Sequence, residues 1–255
     1  MIEFMRGFSY VPRGFRLLGA PGLRRFVIVP ILVNVLVFIG LFWLGAESFQ
    51  DLLNWIFPEP AANENAGWWG QTVGVILVVL QWLLWPLFLL ASVVLIFYLF
   101  TIVANLIAAP FNGMLSARVE QRVTGRLPQG VPEGPGIVLE AAGSVLAELR
   151  KLAYFVTLAV PALLLFFVPV ANIAAPVVWA VVGAWILALE YADYPLSNRG
   201  IAFSEQRTLV KARRARHMGF GLGVLAMTLI PGLNLLAMPT AVIGGTLLIC
   251  DVRER

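Results

Sequence analysis

No charged residue interrupts the 38 residues from Val73 to Pro110. As one helix the run extends about 57 Å, almost twice the thickness of a bilayer's hydrocarbon core. It holds no turn signal that would bring it back as a second span. The sequence therefore predicts one long, tilted helix, kinked near Pro86 and projecting beyond the membrane, with Trp82 and Trp85 near one interface. A second uncharged run, Phe26 to Ala46, has 21 residues and suits a single crossing. Sixty per cent of the 255 residues are hydrophobic and 13% are charged, with a mean hydropathy of +0.88. That composition excludes an ordinary soluble enzyme and a disordered chain, and predicts an integral membrane protein.

Other chemistry is excluded by count. With one cysteine (Cys250) and one histidine (His217), neither an internal disulfide nor a Cys/His metal cluster is available. Lys151 and Lys211 are the only lysines, and neither follows a glycine-rich loop, so no phosphate cradle for ATP is present. No G-x-S-x-G nucleophile setting occurs. The reading is of a non-enzyme without cofactor or metal.

The charge map orients the chain. All 18 Lys and Arg lie outside residues 26–117, while the 47–72 loop carries four acids, no base, and the interfacial pair Trp68-Trp69. The positive-inside rule then places both termini in the cytoplasm with two crossings between them. Residues 1–25, with five arginines spread among Phe, Leu and Tyr, do not read as a cleavable signal but as an interfacial amphipathic segment. Basic runs beside apolar segments suit headgroups better than nucleic acid.

Two further regions share a weak repeat: an apolar arm, a break of the form P-x-x-N-x(3 or 4)-P, and another arm. They occupy residues 152–189, broken at Pro169–Pro176, and 218–250, broken at Pro231–Pro239. Arms of 11 to 13 residues reach only about 17 to 20 Å, so each region is expected to be a hairpin that enters the membrane and returns; one long broken helix apiece is the alternative. Hairpin tips at membrane depth carry backbone groups that lipid cannot satisfy, which hints at a cavity or pore. The expected fold is an all-α integral membrane protein. It has an interfacial segment (1–25), a first span (26–46), an acidic loop (47–72), a long second helix (73–126) and the two partly penetrating hairpins.

Three clusters could carry chemistry. Pro21-Gly22-Leu23-Arg24-Arg25 stands where the first span begins. Helix-terminal N–H groups, a glycine that lets a ligand approach and two adjacent guanidinium groups suit a small tetrahedral oxyanion. Taken by themselves, the same arginines favour the plainer reading of a topology signal flanking a membrane helix. Asn105, Asn112, Arg118, Glu120 and Arg122 near the end of the long helix could line an anion path, with Asn34 in the first span; a solvated helix end is the alternative. Arg118 and Arg122 share a face from which Glu120 points away. Glu190 and Asp193 are expected to pair with arginines, with proton coupling as the other option. Asn172 and Asn234, at matching places in the hairpins, suggest caps or pore-facing groups.

Four segments taken together, PGLRRFVIVPILVN (21–34), IAAPFNGMLS (107–116), YADYP (191–195) and IPGLNLLAMP (230–239), resemble the CysZ sulfate permease family, which is related to the etoposide-induced membrane proteins. The resemblance runs in order over nearly the whole chain. It implies a bacterial inner-membrane protein that admits sulfate for cysteine biosynthesis, all-helical, oligomeric and passive. The family's G-[LI]-R sulfate motif falls on Gly22, Leu23 and Arg24, with Arg25 beside it. Ala117 stands where members often carry an acid, and Asn198-Arg199 where some carry Asn-His. The expected partners are sulfate, with sulfite as a regulator or competitor, the lipid bilayer and further copies of the chain. An ion-coupled oxyanion transporter (proton or sodium) and a non-transporting membrane scaffold are the competing functions.

Overall fold

The computed structural model describes residues 1–56, 68–128 and 137–253, with only part of the side chains in the long helices. Every regular element among the described residues is helical. The order is α1 (Ile2–Phe8), α2 (Tyr10–Leu17), α3 (Arg24–Ile56), α4 (Trp68–Thr124), α5 (Ile137–Leu164), α6 (Ala175–Ser197), α7 (Phe203–Ala212), α8 (Arg214–Thr228) and α9 (Asn234–Arg253). Two short 3₁₀ turns, Leu165–Phe167 and Ala171–Ile173, lie between α5 and α6. Arg24–Leu44, Glu148–Phe167, Ala175–Ser197 and Asn234–Asp251 are long and apolar enough to cross a membrane.

The chain divides into two compact units, residues 29–109 and residues 1–28 with 110–255. The first consists of most of α3 and of α4. Most of its described apolar side chains are bare: Leu36 is 60% exposed, Trp43 66%, Trp82 76% and Leu83 69%. Such a surface is stable only where the solvent is hydrocarbon. α4 is a single helix of 57 residues, about 85 Å long. α3 continues past Ala46 to Ile56 and α4 starts at Trp68, so the ends of the expected acidic loop are helical. Glu59 and Glu64 lie outside the described residues.

The second unit holds the packed core, built where helix backbones touch. A Cβ on Gly7 (α1) would lie 1.8 Å from the carbonyl oxygen of Arg216 in α8, and one on Gly219 (α8) 2.0 Å from that of Phe4. α2 and α9 cross in the same way, with Gly14 against Thr240 O at 2.4 Å and Gly244 against Tyr10 O at 2.8 Å. α6 meets α8 at Gly221 (1.8 Å to Ala184 O) and α9 at Gly245 (2.6 Å to Tyr191 O). Each crossing has a glycine because no side chain fits between the two backbones. Around them Leu115, Leu189, Val210, Phe220 and Ile243 are fully buried.

Prolines break less than the sequence suggests. Pro161, Pro195 and Pro239 all sit inside helices. The arms are therefore longer than the 11 to 13 residues read from the pattern: α6 has 23 and α9 has 20. The actual breaks are residues 165–174 and 229–233. Asn172 falls in a 3₁₀ turn and does not cap α6, whose N-cap Ala174 makes no side-chain bond. Asn234 is the first residue of α9 and is exposed.

Two ionisable groups of α2 and α8 are buried at the unit's polar end. The Tyr10 hydroxyl donates to Asp251, and burial followed by that carboxylate pushes its pKa up to about 12. His217 is 1% exposed, and its Nδ1–H donates to the Arg213 carbonyl at 3.1 Å. Burial lowers its pKa to about 4, so the folded state keeps it neutral.

Two outcomes follow from these contacts. Gly221→Val should lower thermal stability in detergent by about 1–3 kcal/mol or more, because α6 must move. Gly19→Ala, with nothing within 4 Å of its Cβ position, should leave it unchanged. The depressed pKa of His217 gives stability that is complete above about pH 6.5 and is lost as pH falls towards 4, since only the unfolded state then takes the proton. At pH 5 wild type should have lost about 2 kcal/mol from this source. His217→Asn should show a correspondingly smaller fall between pH 7.5 and pH 5.

Candidate anion site

The segment from Leu18 to Leu23 turns the chain from α2 into α3. Leu23 N–H and Arg24 N–H both donate to Ala20 O, at 3.1 and 3.3 Å, and Phe26 N–H donates to Leu23 O at 3.0 Å. The reversal needs Gly22 at φ +85°, in the left-handed region where only glycine is unstrained. Leu23 is 3% exposed and anchors the turn in the core, while Gly22, Arg24 and Arg25 are exposed. No atom lies within 4 Å of the Gly22 Cβ position. The N–H groups of Gly22 and Arg25 have no backbone partner among the described residues.

A third guanidinium reaches this turn. Arg122 of α4 donates from Nη1 to the Pro21 carbonyl at 3.2 Å, across 101 residues of sequence. The structure thus joins one residue of the expected ion path to the expected oxyanion motif. The Arg25 guanidinium lies 4.8 Å from the Phe26 ring centroid. The positive helix terminus, free N–H groups and three guanidinium groups can bind a small oxyanion by charge-assisted bonds.

The other candidates separate. Arg118 is exposed and donates to Gln121 at 2.9 Å. Glu120 is buried and accepts from Arg199 Nε at 2.9 Å. Asn112 is buried, with its amide nitrogen 3.4 Å from the Tyr194 hydroxyl and 3.2 Å from Met238 Sδ. Asn34 and Asn105 belong to the other compact unit, and their side chains lie outside those described.

Asn112, Ser116 and Glu120 form one buried polar line at i, i+4 and i+8 on α4. The Ser116 hydroxyl bonds to Thr246 of α9 at 2.9 Å. Sequence reading meets Tyr194 only within the YADYP segment and Arg199 only as a departure beside Asn198, and it does not single out Ser116 or Thr246, although the four-residue spacing of Asn112, Ser116 and Glu120 is visible there. Glu190 and Asp193 do pair with a base, but it is Lys151 and not an arginine. Lys151 Nζ lies 2.9 Å from Asp193, 3.4 Å from Glu190 and 2.7 Å from Glu148. Gln206 also donates to Asp193 at 2.9 Å, which ties α5, α6 and α7 together.

The Glu120–Arg199 pair is the most buried ion pair of this group, with side chains 9% and 12% exposed. Removing one partner strands the other charge, so Arg199→Leu should cost about 3–5 kcal/mol in thermal or denaturant unfolding. Adding Glu120→Gln to Arg199→Leu should recover part of that loss, and a double-mutant cycle reads the coupling.

Comparison with known proteins places this geometry in a family. Residues 10–239 match the family described as Sulfate transporter CysZ/Etoposide-induced protein 2.4. The protein named Sulfate transporter CysZ from Pectobacterium atrosepticum is 38% identical over 248 residues, 96% of this chain and 84% of that protein. The match takes in the Gly22 turn, the polar line of α4 and the Lys151 cluster. With its apolar helices, this chain is a membrane protein that belongs to the sulfate transporter CysZ/etoposide-induced protein 2.4 family.

Proposed function

We propose that this chain is a passive sulfate permease of the bacterial inner membrane, supplying sulfate for cysteine biosynthesis. The oxyanion binds at Gly22, Leu23, Arg24 and Arg25. The observation that carries this reading is the local geometry of the turn. An exposed glycine at φ +85° stands beside exposed arginines at a helix N-terminus, and Arg122 is bonded to the same turn. The relative's name supplies the substrate. No protein acid is paired with Arg24 or Arg25 among the described residues, so their charge is available to an anion.

Leu23 acts by fixing the turn rather than by touching the ion through a polar group. Arg122 and Arg118 offer donors beyond the binding turn, and Asn34, Asn105 and Asn112 are polar steps along the path. Glu120 contributes by holding Arg199 and closing the packing of α4. The positive-inside charge map puts both termini in the cytoplasm, and the chain works as a homo-oligomer in the bilayer. Sulfite, which accepts the same donors, competes for the site.

Labelled sulfate uptake into liposomes holding only the purified chain tests the proposal, without ATP or an imposed gradient. Wild type should exceed empty liposomes. Arg24→Ala and Arg25→Ala should each weaken sulfate affinity by about 10- to 100-fold, the range for one charge-assisted bond. Uptake that appears only with a proton or sodium gradient would replace the passive mechanism by a coupled one. Binding unchanged in both folded variants would remove the site.

A further inference from the structure

A second cationic site lies away from the Gly22 turn, between α1 and the α7–α8 joint. A cavity of about 510 Å³ there is lined by Glu3, Arg6, Arg213, Arg214 and Arg216, with alanines 212 and 215 completing it. Arg216 is 3% exposed, unusual for an arginine. Glu3 holds it, accepting from Arg216 Nε and Nη2 at 2.7 Å and from Arg6 Nη1 at 2.9 Å. Arg216 Nη1 is 3.5 Å from Asp251 and has no hydrogen-bond partner among the described residues. The side chains of Arg213 and Arg214 have no ion pair among the described residues. Four arginines and one carboxylate line the cavity, and Asp251, outside the lining, pairs with Arg216, which leaves a surplus of two positive charges.

A mainly apolar groove lined by Met1, Ile2, Met5 and Ser9 adjoins the cavity, and Arg6 belongs to both. Ile2 is 72% exposed and Met5 59%. A free anion has no use for this apolar groove, and an apolar chain has none for the cavity. A molecule with an anionic head and a hydrocarbon tail matches both at once.

We propose that the cavity and groove hold one anionic phospholipid. Its phosphate is bound by Arg6, Arg213 and Arg214, with the buried Arg216 adding its charge from within the wall, and an acyl chain lies over Ile2 and Met5. Glu3 positions two of the guanidinium groups and does not oppose the head, since its carboxylate is already taken up by Arg6 and Arg216. The site is separate from the sulfate site and does not depend on the transport reading.

Native mass spectrometry of the full chain, titrated in neutral detergent with phosphatidylglycerol or phosphatidylcholine, tests this. Wild type should bind phosphatidylglycerol and not phosphatidylcholine. R213A/R214A, which breaks no ion pair described, should bind it roughly thirtyfold more weakly. R213K/R214K should retain most of the affinity, which separates lost charge from a damaged fold. Water-soluble glycerol 1-phosphate should fail to displace the lipid at comparable concentration. Equal binding by R213A/R214A would overturn the site. Equal competition by glycerol 1-phosphate would overturn the lipid and leave a free-anion site.

Discussion

The core of this protein depends on backbone-to-backbone contact between helices. In hydrocarbon there is little hydrophobic gain in bringing apolar helices together, because lipid tails are as apolar as leucine. Dispersion and close approach must do that work, and they act only at short range. Gly7 with Gly219 and Gly14 with Gly244 meet this requirement reciprocally, each helix supplying the glycine that admits the other's carbonyl. α1 and α2 are short, with seven and eight residues, and would not persist alone in water. Docked at these crossings, they fix where α2 ends and hence where the Gly22 turn begins.

Charge is then distributed by need. Lys151 and Arg199 satisfy acids of neighbouring helices and hold α4, α5 and α6 in register. Arg24 and Arg25 lie at a helix start without such a partner, and that terminus already carries partial positive charge. Two like charges there cost stability unless an anion or a headgroup joins them.

How much of this the sequence discloses depends on range. The single long α4 is legible because an uncharged run without a turn signal has one outcome. The helix start after Gly22 is legible because proline and glycine directly before an apolar run mark it, whereas the left-handed turn at Gly22 itself is not foreseen. The prolines mislead: Pro161, Pro195 and Pro239 resemble breakers by type, yet packed neighbours hold those helices together. Pairings across distance are the least legible. The i+3 spacing of Glu190 and Asp193 announces a pair of acids but cannot say that Lys151, 42 residues before Asp193, is their base. Nor can it join Arg122 to Pro21 or Arg199 to Glu120, since each is decided by which helices meet.

The start of α9 repeats the start of α3. Pro231-Gly232-Leu233 turns as Pro21-Gly22-Leu23 does, with Gly232 at φ +83°. Asn234 N–H donates to Ile230 O, and Leu236 N–H to Leu233 O, in the pattern of Arg24 and Phe26. What differs is the cargo of side chains: Asn234 and Leu235 stand where Arg24 and Arg25 stand. One backbone form thus occurs twice in the chain, once armed with guanidinium groups and once bare. The bare copy is a built-in reference state, in which the turn's architecture is present without the charge.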